Sequence, residues 1–488
     1  MKSATFEPTA SPVVFVTALE DPGFTTAMLL LRHVTEILLL WPLLLVVTLF
    51  EAPYYYSADA ISSSKSSSSQ QQQITPKLLQ PFGKPSLPLG DDNGNRNIVR
   101  THGVRVWDDS GNEYIDGIGS LWYCQVGYGR PEIIRAVAAQ LESSMYNQFP
   151  PFRSDVAEAC AARIVGLSSM REGGRAYLCS SGSEAIDTAF KIARAVAHGG
   201  GELPRRQLIV RRRRGYHGVN LGGTSAMGIA SNREGWGDLM PHMVEIDAED
   251  IESARALFRE RGPEIAAVVV EPVQAAGGVF PPPNDTYLST LRSLCTQYGA
   301  LLIFDEVVTG FGRTGNWFAS QTYDVVPDLM TFAKGATSGY QPLGGVVLSR
   351  DVCAALERDP EYVFRHGHTF SGHAAACAAC LANVDVMEEE RLLDRAVAIG
   401  ERLSAGLRRL LDEGEIREVR GVGALWAARL NDDDAETAVA VRDRMLDLGV
   451  IVRPLYDSIA FCPPLVMNDT DVDRMVDALA QAIRDVNE

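Results

Sequence analysis

The chain reads as an α/β protein: a large domain built on a mostly parallel sheet, joined to a smaller α+β domain. Three observations carry this expectation. From about residue 155, short apolar runs alternate with helical patterns, the rhythm of a parallel sheet covered on both faces. After about residue 385 that rhythm gives way to long amphipathic helices and short strands. Polar and glycine-rich stretches directly follow several of the apolar runs, and ligands of open α/β sheets collect at the carboxyl ends of strands.

The elements follow in order. "RVWDDSGNEYIDGIG" (105–119) reads as a hairpin turning at Ser-Gly-Asn, and "PEIIRAVAAQLESS" (131–144) as a helix with Pro131 in its first turn. The strand-like runs are "AYLCSS" (176–181), "QLIVRR" (207–212), "AAVVVEP" (266–272), "LLIFDEV" (301–307), "DLMTFAK" (328–334) and "GGVVLS" (344–349). Helical patterns such as "SEAIDTAFKIARAVAH" (183–198) and "DTYLSTLRSLCTQYG" (285–299) separate several of them. The expected organisation is an N-terminal extension over 1–82, a small domain from 83–150 and 385–488, and a large domain over 151–384.

Residues 1–82 are of another kind. "ILLLWPLLLVVTLF" (37–50) is an apolar run of 14, and "SSSKSSSSQQQQ" (62–73) is a low-complexity tether. A spanning helix needs about 20 apolar residues; this run is shorter, contains Pro42 and is bracketed by Glu36 and Glu51. A secretory signal needs a positive start, yet residues 1–31 set Lys2 against Glu7, Glu20 and Asp21. An anchor, a targeting segment and a dispensable extension all stay open. Membrane contact is confined to residues 27–56, and the catalytic part is expected in the cytoplasm.

A formal charge of −17 speaks against nucleic acid as a partner. The one basic run, "RRRR" at 211–214, follows a strand and is expected to be a solvated strand end. Eight cysteines in 488 residues fit reduced, mostly buried thiols rather than a disulfide framework. "CAAC" (377–380) lies in an alanine-rich run and reads as a helix packing face.

Six lysines stand against 39 arginines, and from residue 85 onward only Lys191 and Lys334 occur. Arginine serves for surface charge but forms no imine. A lysine kept in that background suggests a task for a primary amine, with Schiff-base chemistry foremost; composition alone does not separate this from a surface lysine. Lys191, inside "FKIAR", has no assigned task.

The strand ends supply the companions of Lys334. "SSGSEA" (180–185) opens a helix after the first run, and its backbone N–H groups with Ser183 make an anion site; a simple N-capping serine is the alternative. "YHG" (216–218) sets an aromatic platform beyond the second run. "EPVQAAGG" (271–278) ends the third with Glu271, and "FDEVVTGFGRTG" (304–315) ends the fourth with Asp305 and Glu306. Adjacent strand residues point to opposite faces, so Asp305 is assigned to the ligand and Glu306 to a structural ion pair. Pyridoxal 5'-phosphate needs all of these together: an anion cradle, an amine, a carboxylate to keep its pyridine nitrogen protonated, and a stacking surface.

"LLIFDEVVTGFGRTGNWFASQTYDVVPDLMTFAKG" resembles the signature of the class III pyridoxal-phosphate aminotransferases of fold type I, and the resemblance runs from about residue 85 to 488. It implies that Lys334 binds the cofactor covalently and that Asp305 pairs with the pyridine nitrogen. Ser181, Gly182 and Ser183 then hold the phosphate, Tyr216 and Val307 sandwich the ring, and His217 and Glu271 line the cofactor. Thr369 of "HGHTFSGH" reaches the phosphate bound by the neighbouring subunit of a homodimer. The histidines of that stretch, at 366, 368 and 373, have no carboxylate among them and do not suggest a metal.

Within the class, "AAGG" places Ala276 where ornithine and γ-aminobutyrate enzymes carry a glutamate that masks a substrate-binding arginine. The chain resembles instead the ω-amino acid or amine:pyruvate branch. "SLWYCQVGYGRPE" (120–132) then sets Trp122 beside the substrate, and "RPLYDSIAFCPPL" (453–465) brings Arg453 to the substrate carboxylate. Phe149 walls the partner's pocket. Ala275 and Ala374 depart from the family's usual glycine and proline. The implied reaction is ping-pong transfer of an amino group from an ω-amino acid or primary amine to a keto acid, pyruvate foremost. The rivals are another activity of the same cofactor (2-oxoglutarate-dependent transamination, racemisation, aminomutation, decarboxylation) and an inactive, tethered binding protein.

Overall fold

The structure, a computed structural model, describes residues 78–83, 96–146, 148–198 and 206–488. Residues 94–488 form one compact unit. The apolar run and the Ser/Gln tether lie outside the described residues. Among the described residues, no helix is long and apolar enough to cross a membrane.

Chain order in this unit begins with β1 (Ile98–His102), β2 (Arg105–Asp108) and β3 (Glu113–Asp116), then α1 (Pro131–Ser143) and α2 (Asp155–Leu167). The β2–β3 hairpin is antiparallel and turns where Ser-Gly-Asn was expected to turn it, with Gly111 at φ 86°. Next come β4 (Arg175–Cys179), α3 (Gly182–His198), β5 (Leu208–Arg212), β6 (Met243–Ile246), α4 (Ile251–Arg261), β7 (Ile265–Val270) and α5 (Tyr287–Tyr298). β8 (Leu301–Asp305), β9 (Leu329–Phe332) and β10 (Gly344–Leu348) complete a seven-stranded sheet of order β4-β10-β9-β8-β7-β5-β6. The pairs among β5 to β9 are parallel; β10 runs antiparallel to both neighbours.

Side chains alternate across this sheet as strand geometry requires. Ile209, Val269, Ile303 and Leu329 join the core beneath α3, with its Ile186, Ala189 and Phe190. Their neighbours Val210, Val268, Val270, Leu302 and Phe304 face Phe258 of α4 and Leu288 and Leu291 of α5. The sheet is thus buried on both faces, which is why its strands read as continuous apolar runs.

The remaining elements are α6 (Ala374–Glu389), α7 (Leu392–Asp412), β11 (Glu418–Val422), β12 (Leu425–Arg429), α8 (Ala435–Asp447), β13 (Val450–Ile451), β14 (Arg453–Leu455), β15 (Ser458–Phe461) and α9 (Asp469–Asn487). Two further sheets have the orders β1-β2-β3-β13 and β11-β12-β15-β14. Cys377 and Cys380 are fully buried on α6, which packs against α1 and α2, so the small-residue face was read correctly. All eight cysteines are free and buried.

The arginine run departs from expectation. Arg211 and Arg212 lie within β5 and are buried, not solvated. Arg212 Nε donates to Ala248 O at 2.9 Å and its guanidinium stacks on Tyr287, while Arg211 donates to Met227 O and pairs with Glu245. Carbonyl acceptors and an aromatic face let a guanidinium go where an ammonium would lose its water. Only Arg213 and Arg214 fit the solvated reading; they pair with Asp247 and Glu249.

Candidate active site

The carboxyl ends of β4, β5, β7, β8 and β9 converge. After β4, Ser181 Oγ accepts from Glu184 N at 3.2 Å and the Glu184 carboxylate accepts from Ser180 N at 2.7 Å, which caps the 17-residue helix α3. Ser181 is therefore the capping serine. Ser183 is not: its Oγ accepts from Val219 N at 3.0 Å, in the loop after β5. That loop crosses so close that a Cβ on Gly218, at φ 86°, would strike Ser183 Oγ. Gly182 is equally confined, since a Cβ there would stand 2.9 Å from Val307 Cγ2. Two glycines thus bring the first turn of α3, the 216–218 loop and Val307 into one cradle.

Asp305 ends β8 on the Ile303 face. His217 Nδ1 donates to its Oδ2 at 2.8 Å, and Val307 N and Thr331 Oγ1 each donate to Oδ1 at 3.2 Å. Beside it, Glu271 Oε1 accepts from Tyr216 N at 2.8 Å and Oε2 from Ala275 N at 3.0 Å. Burial pushes the Glu271 carboxyl up to about 7; the His217 ring opposes the shift and the Asp305 charge adds to it. His217 Nε2 is buried without a partner among the described residues.

Lys334 follows β9 with φ 42°, a left-handed backbone that a non-glycine residue adopts only when its surroundings enforce it. The enforcement is visible. Asn383 Nδ2 donates to Gly335 O at 2.9 Å and Ala336 O at 3.2 Å, while Asn383 Oδ1 accepts from Ser338 Oγ at 2.6 Å. Gln125 closes over Gly335 so tightly that a Cβ there would meet its amide. Among the described residues, no hydrogen bond or ion pair engages the Lys334 amine. Burial lowers its pKa, and the Asp305 and Glu271 charges oppose that shift.

Among the described residues Glu306 has no ion-pair partner, contrary to expectation. Its buried carboxylate accepts from Thr309 Oγ1 at 2.6 Å and from Ala319 N and Ser320 N at 2.7 Å. Burial pushes this carboxyl up to about 7 as well, those donors opposing. Three hydrogen bonds do here what a cation was expected to do.

Trp122 is buried in an apolar cluster with Ala275, Leu455, Ala460 and Cys462. Arg453 is exposed on β14; desolvation weighs against its cation and the nearby Tyr216 phenol favours it. Phe149 and Thr369 form a second group. The Phe149 ring lies against Gly367, 3.0 Å from a Cβ built there, and Thr369 two residues on is exposed. Asn383, Thr331 and Gln125 were missed. Asn383 carries a signal in hindsight, a lone amide inside the apolar "CLANVDV".

The residues fit the expected cofactor. A helix N-terminus with close glycine approach suits a phosphate, the clamped Asp305 suits a protonated ring nitrogen, and an unengaged buried amine suits an aldehyde. Such a site, on this sheet, defines a pyridoxal-phosphate enzyme of fold type I. The chain matches the family model "Aminotransferase class-III" over residues 88–483 and belongs to that family. It is 34% identical over 415 residues to the putrescine–pyruvate aminotransferase of Pseudomonas aeruginosa, covering 79% of this chain and 90% of that one. The β-alanine–pyruvate aminotransferase of the same organism is 33% identical over 416 residues, covering 80% and 92%. A crystal structure of an amine transaminase from an uncultivated Pseudomonas species, with pyridoxal phosphate bound, superposes with a TM-score of 0.80 at 33% identity. That match covers 85% of this chain and all of the other. The protein is a pyridoxal-phosphate-dependent aminotransferase.

Proposed function

We propose that the enzyme moves an amino group from an ω-amino acid or primary amine to pyruvate. The observation that carries this reading is Arg453. It stands near Tyr216 and, among the described residues, in no ion pair, so its fork is available to a short keto acid's carboxylate. The apolar wall of Trp122, Ala275, Leu455 and Ala460 suits a donor's uncharged body. Ala276 supplies no acid that could mask a cation. The names of the relatives, which join varied amines to pyruvate, support the same reading.

Gly182 and Ser183, at the first turn of α3, would hold the cofactor phosphate; Tyr216 and Val307 would flank the ring, Asp305 would face its nitrogen and Lys334 its aldehyde. When bound, pyridoxal phosphate supplies a carbonyl that captures amines and a ring that accepts electrons. Lys334 Nζ, with its pKa lowered by burial, would take the proton from the donor carbon and deliver it to the cofactor rather than return it to the donor. Asp305, oriented by its donors His217 and Thr331, would hold a proton at its ring partner. Trp122 and the alanines keep water from the reacting amine.

We further assign residues 83–150 and 385–488 to a small domain and 151–384 to the large one. A homodimer is the working unit: Met145, Tyr146, Phe149, Phe152 and Phe370 are exposed beside Thr369, an apolar patch suited to a second copy. Eight free, buried thiols are in keeping with a cytoplasmic setting. Initial rates with pyruvate and with 2-oxoglutarate test the reading. Pyruvate should be the better acceptor; a preference for 2-oxoglutarate would overturn the substrate assignment and leave the cofactor assignment standing.

A further inference from the structure

Residues 96–488 contain two lysines, and the second has a defined environment. Lys191 lies on α3, the helix that opens at the phosphate cradle. Its Nζ is 2.8 Å from His366 Nδ1, and His366 Nε2 is 2.8 Å from Thr188 Oγ1. Thr188 Oγ1 donates its one proton to Glu184 O at 2.7 Å, so it must accept from His366 Nε2–H. Nδ1 is then the acceptor for the Lys191 ammonium. Only the neutral imidazole satisfies all four groups. Burial, aided by the Lys191 and His368 charges, pushes the His366 pKa down to about 4, which keeps the ring neutral at working pH.

The same segment is held from its other side. The Tyr177 ring stacks on His366 at 5.3 Å, and its hydroxyl lies 3.1 Å from Ser371 Oγ. Ser371 Oγ accepts from His368 N at 3.1 Å. Thr369 sits between these clamps, exposed, and its own hydroxyl has no partner among the described residues. The backbone on both sides is therefore fixed while the one side chain between them is left free.

We propose that Lys191 and His366 are positioning residues that aim Thr369 at the cofactor phosphate bound by a second copy of this chain. This rests on the reading of Thr369 as a cross-subunit phosphate ligand. It gives the second lysine a task in cofactor retention, with no part in the chemistry.

The test is the equilibrium Kd of pyridoxal phosphate for the full-length, cofactor-stripped enzyme, followed by visible absorbance. Lys191→Met should raise Kd about tenfold, the scale of one hydrogen bond to a charged group. Thr369→Val should raise it at least as much, and adding Lys191→Met to Thr369→Val should change it little further, because one acts through the other. His366→Phe repeats the test from the other side of the pair if Lys191→Met does not fold. An unchanged Kd in Lys191→Met, or a full tenfold loss on top of Thr369→Val, overturns the proposal and leaves the phosphate role of Thr369 intact. An unchanged Kd in Thr369→Val removes that role, and the proposal with it.

Discussion

The two lysines of the folded unit sit in opposite surroundings. Lys334, just after β9, is held at φ 42° near two carboxylates with no described residue engaging its amine. Lys191, exposed on α3, donates into a chain that runs through His366 and Thr188 to Glu184 O. Native proteins rarely leave a buried polar group unmatched or a backbone strained unless a task is attached. On the proposed function, the amine that no described residue engages is the one that reacts, and the hydrogen-bonded one positions.

The sharpest way to break that contrast is to remove each amine in turn. Lys334→Ala should abolish turnover and the visible absorbance of lysine-bound cofactor. Lys191→Met, saturated with cofactor, should keep that absorbance and a kcat within about fivefold of the parent, since one distant hydrogen bond is worth only about 1 kcal/mol. Similar losses of absorbance in the two would end the comparison. Asp305→Asn comes next. It can still hydrogen-bond Thr331 but cannot hold a positive charge at the ring nitrogen, so kcat should fall by about 100-fold or more; a single-turnover measurement reads this directly.

Arg453→Ala has a smaller and selective effect. Truncating one side of a charge pair costs roughly 2–5 kcal/mol, so kcat/KM for pyruvate should drop about 30-fold or more. The half-reaction with a simple alkyl amine, which has no carboxylate, should change far less. Equal slowing of both halves would remove Arg453 from acceptor recognition.

The last effect is on stability. Glu271 and Glu306 both bind a proton more tightly folded than unfolded, their pKa values rising from 4.5 to about 7. Their contribution is full below about pH 4.5 and is lost as pH rises through 7, by up to about 3 kcal/mol per group. Tm of the cofactor-free protein should therefore fall between pH 5.5 and 8. In Glu271→Gln the fall should shrink without vanishing, because Glu306 still titrates.

Much of this was legible in the chain, for reasons that also mark the limits. The apolar runs betrayed β4, β5 and β7 to β10 because a sheet covered on both faces leaves no polar alternation. β6 escaped: only Ile246 of its four residues is buried, so no apolar run announces it. Nothing within "GGVVL" says that β10 runs against its neighbours, since direction is set by the connection and not by the strand. Asp305 and Glu306 do enter different surroundings, as strand alternation requires, but the partners of Glu306 are the Thr309 hydroxyl and backbone amides 13 and 14 residues away, where a cation was expected. Ala275 and Ala374 prove quiet departures. Ala275 is absent from the left-handed region, and Ala374 opens α6, where a helix accepts alanine as readily as proline.

One pairing described above bears on how the enzyme is made. β13 lies beside β3, with Ile115 N donating to Gly449 O and Gly117 N to Ile451 O, across more than 330 residues of chain. Arg105 also pairs with Asp471 at 2.7 Å, in the first turn of α9. The hairpin leaves the ribosome more than 330 residues ahead of its partner strand, and contacts so distant in sequence form slowly. A nascent chain stalled before residue 450 would hold β4 to β10 while β3 still lacked β13.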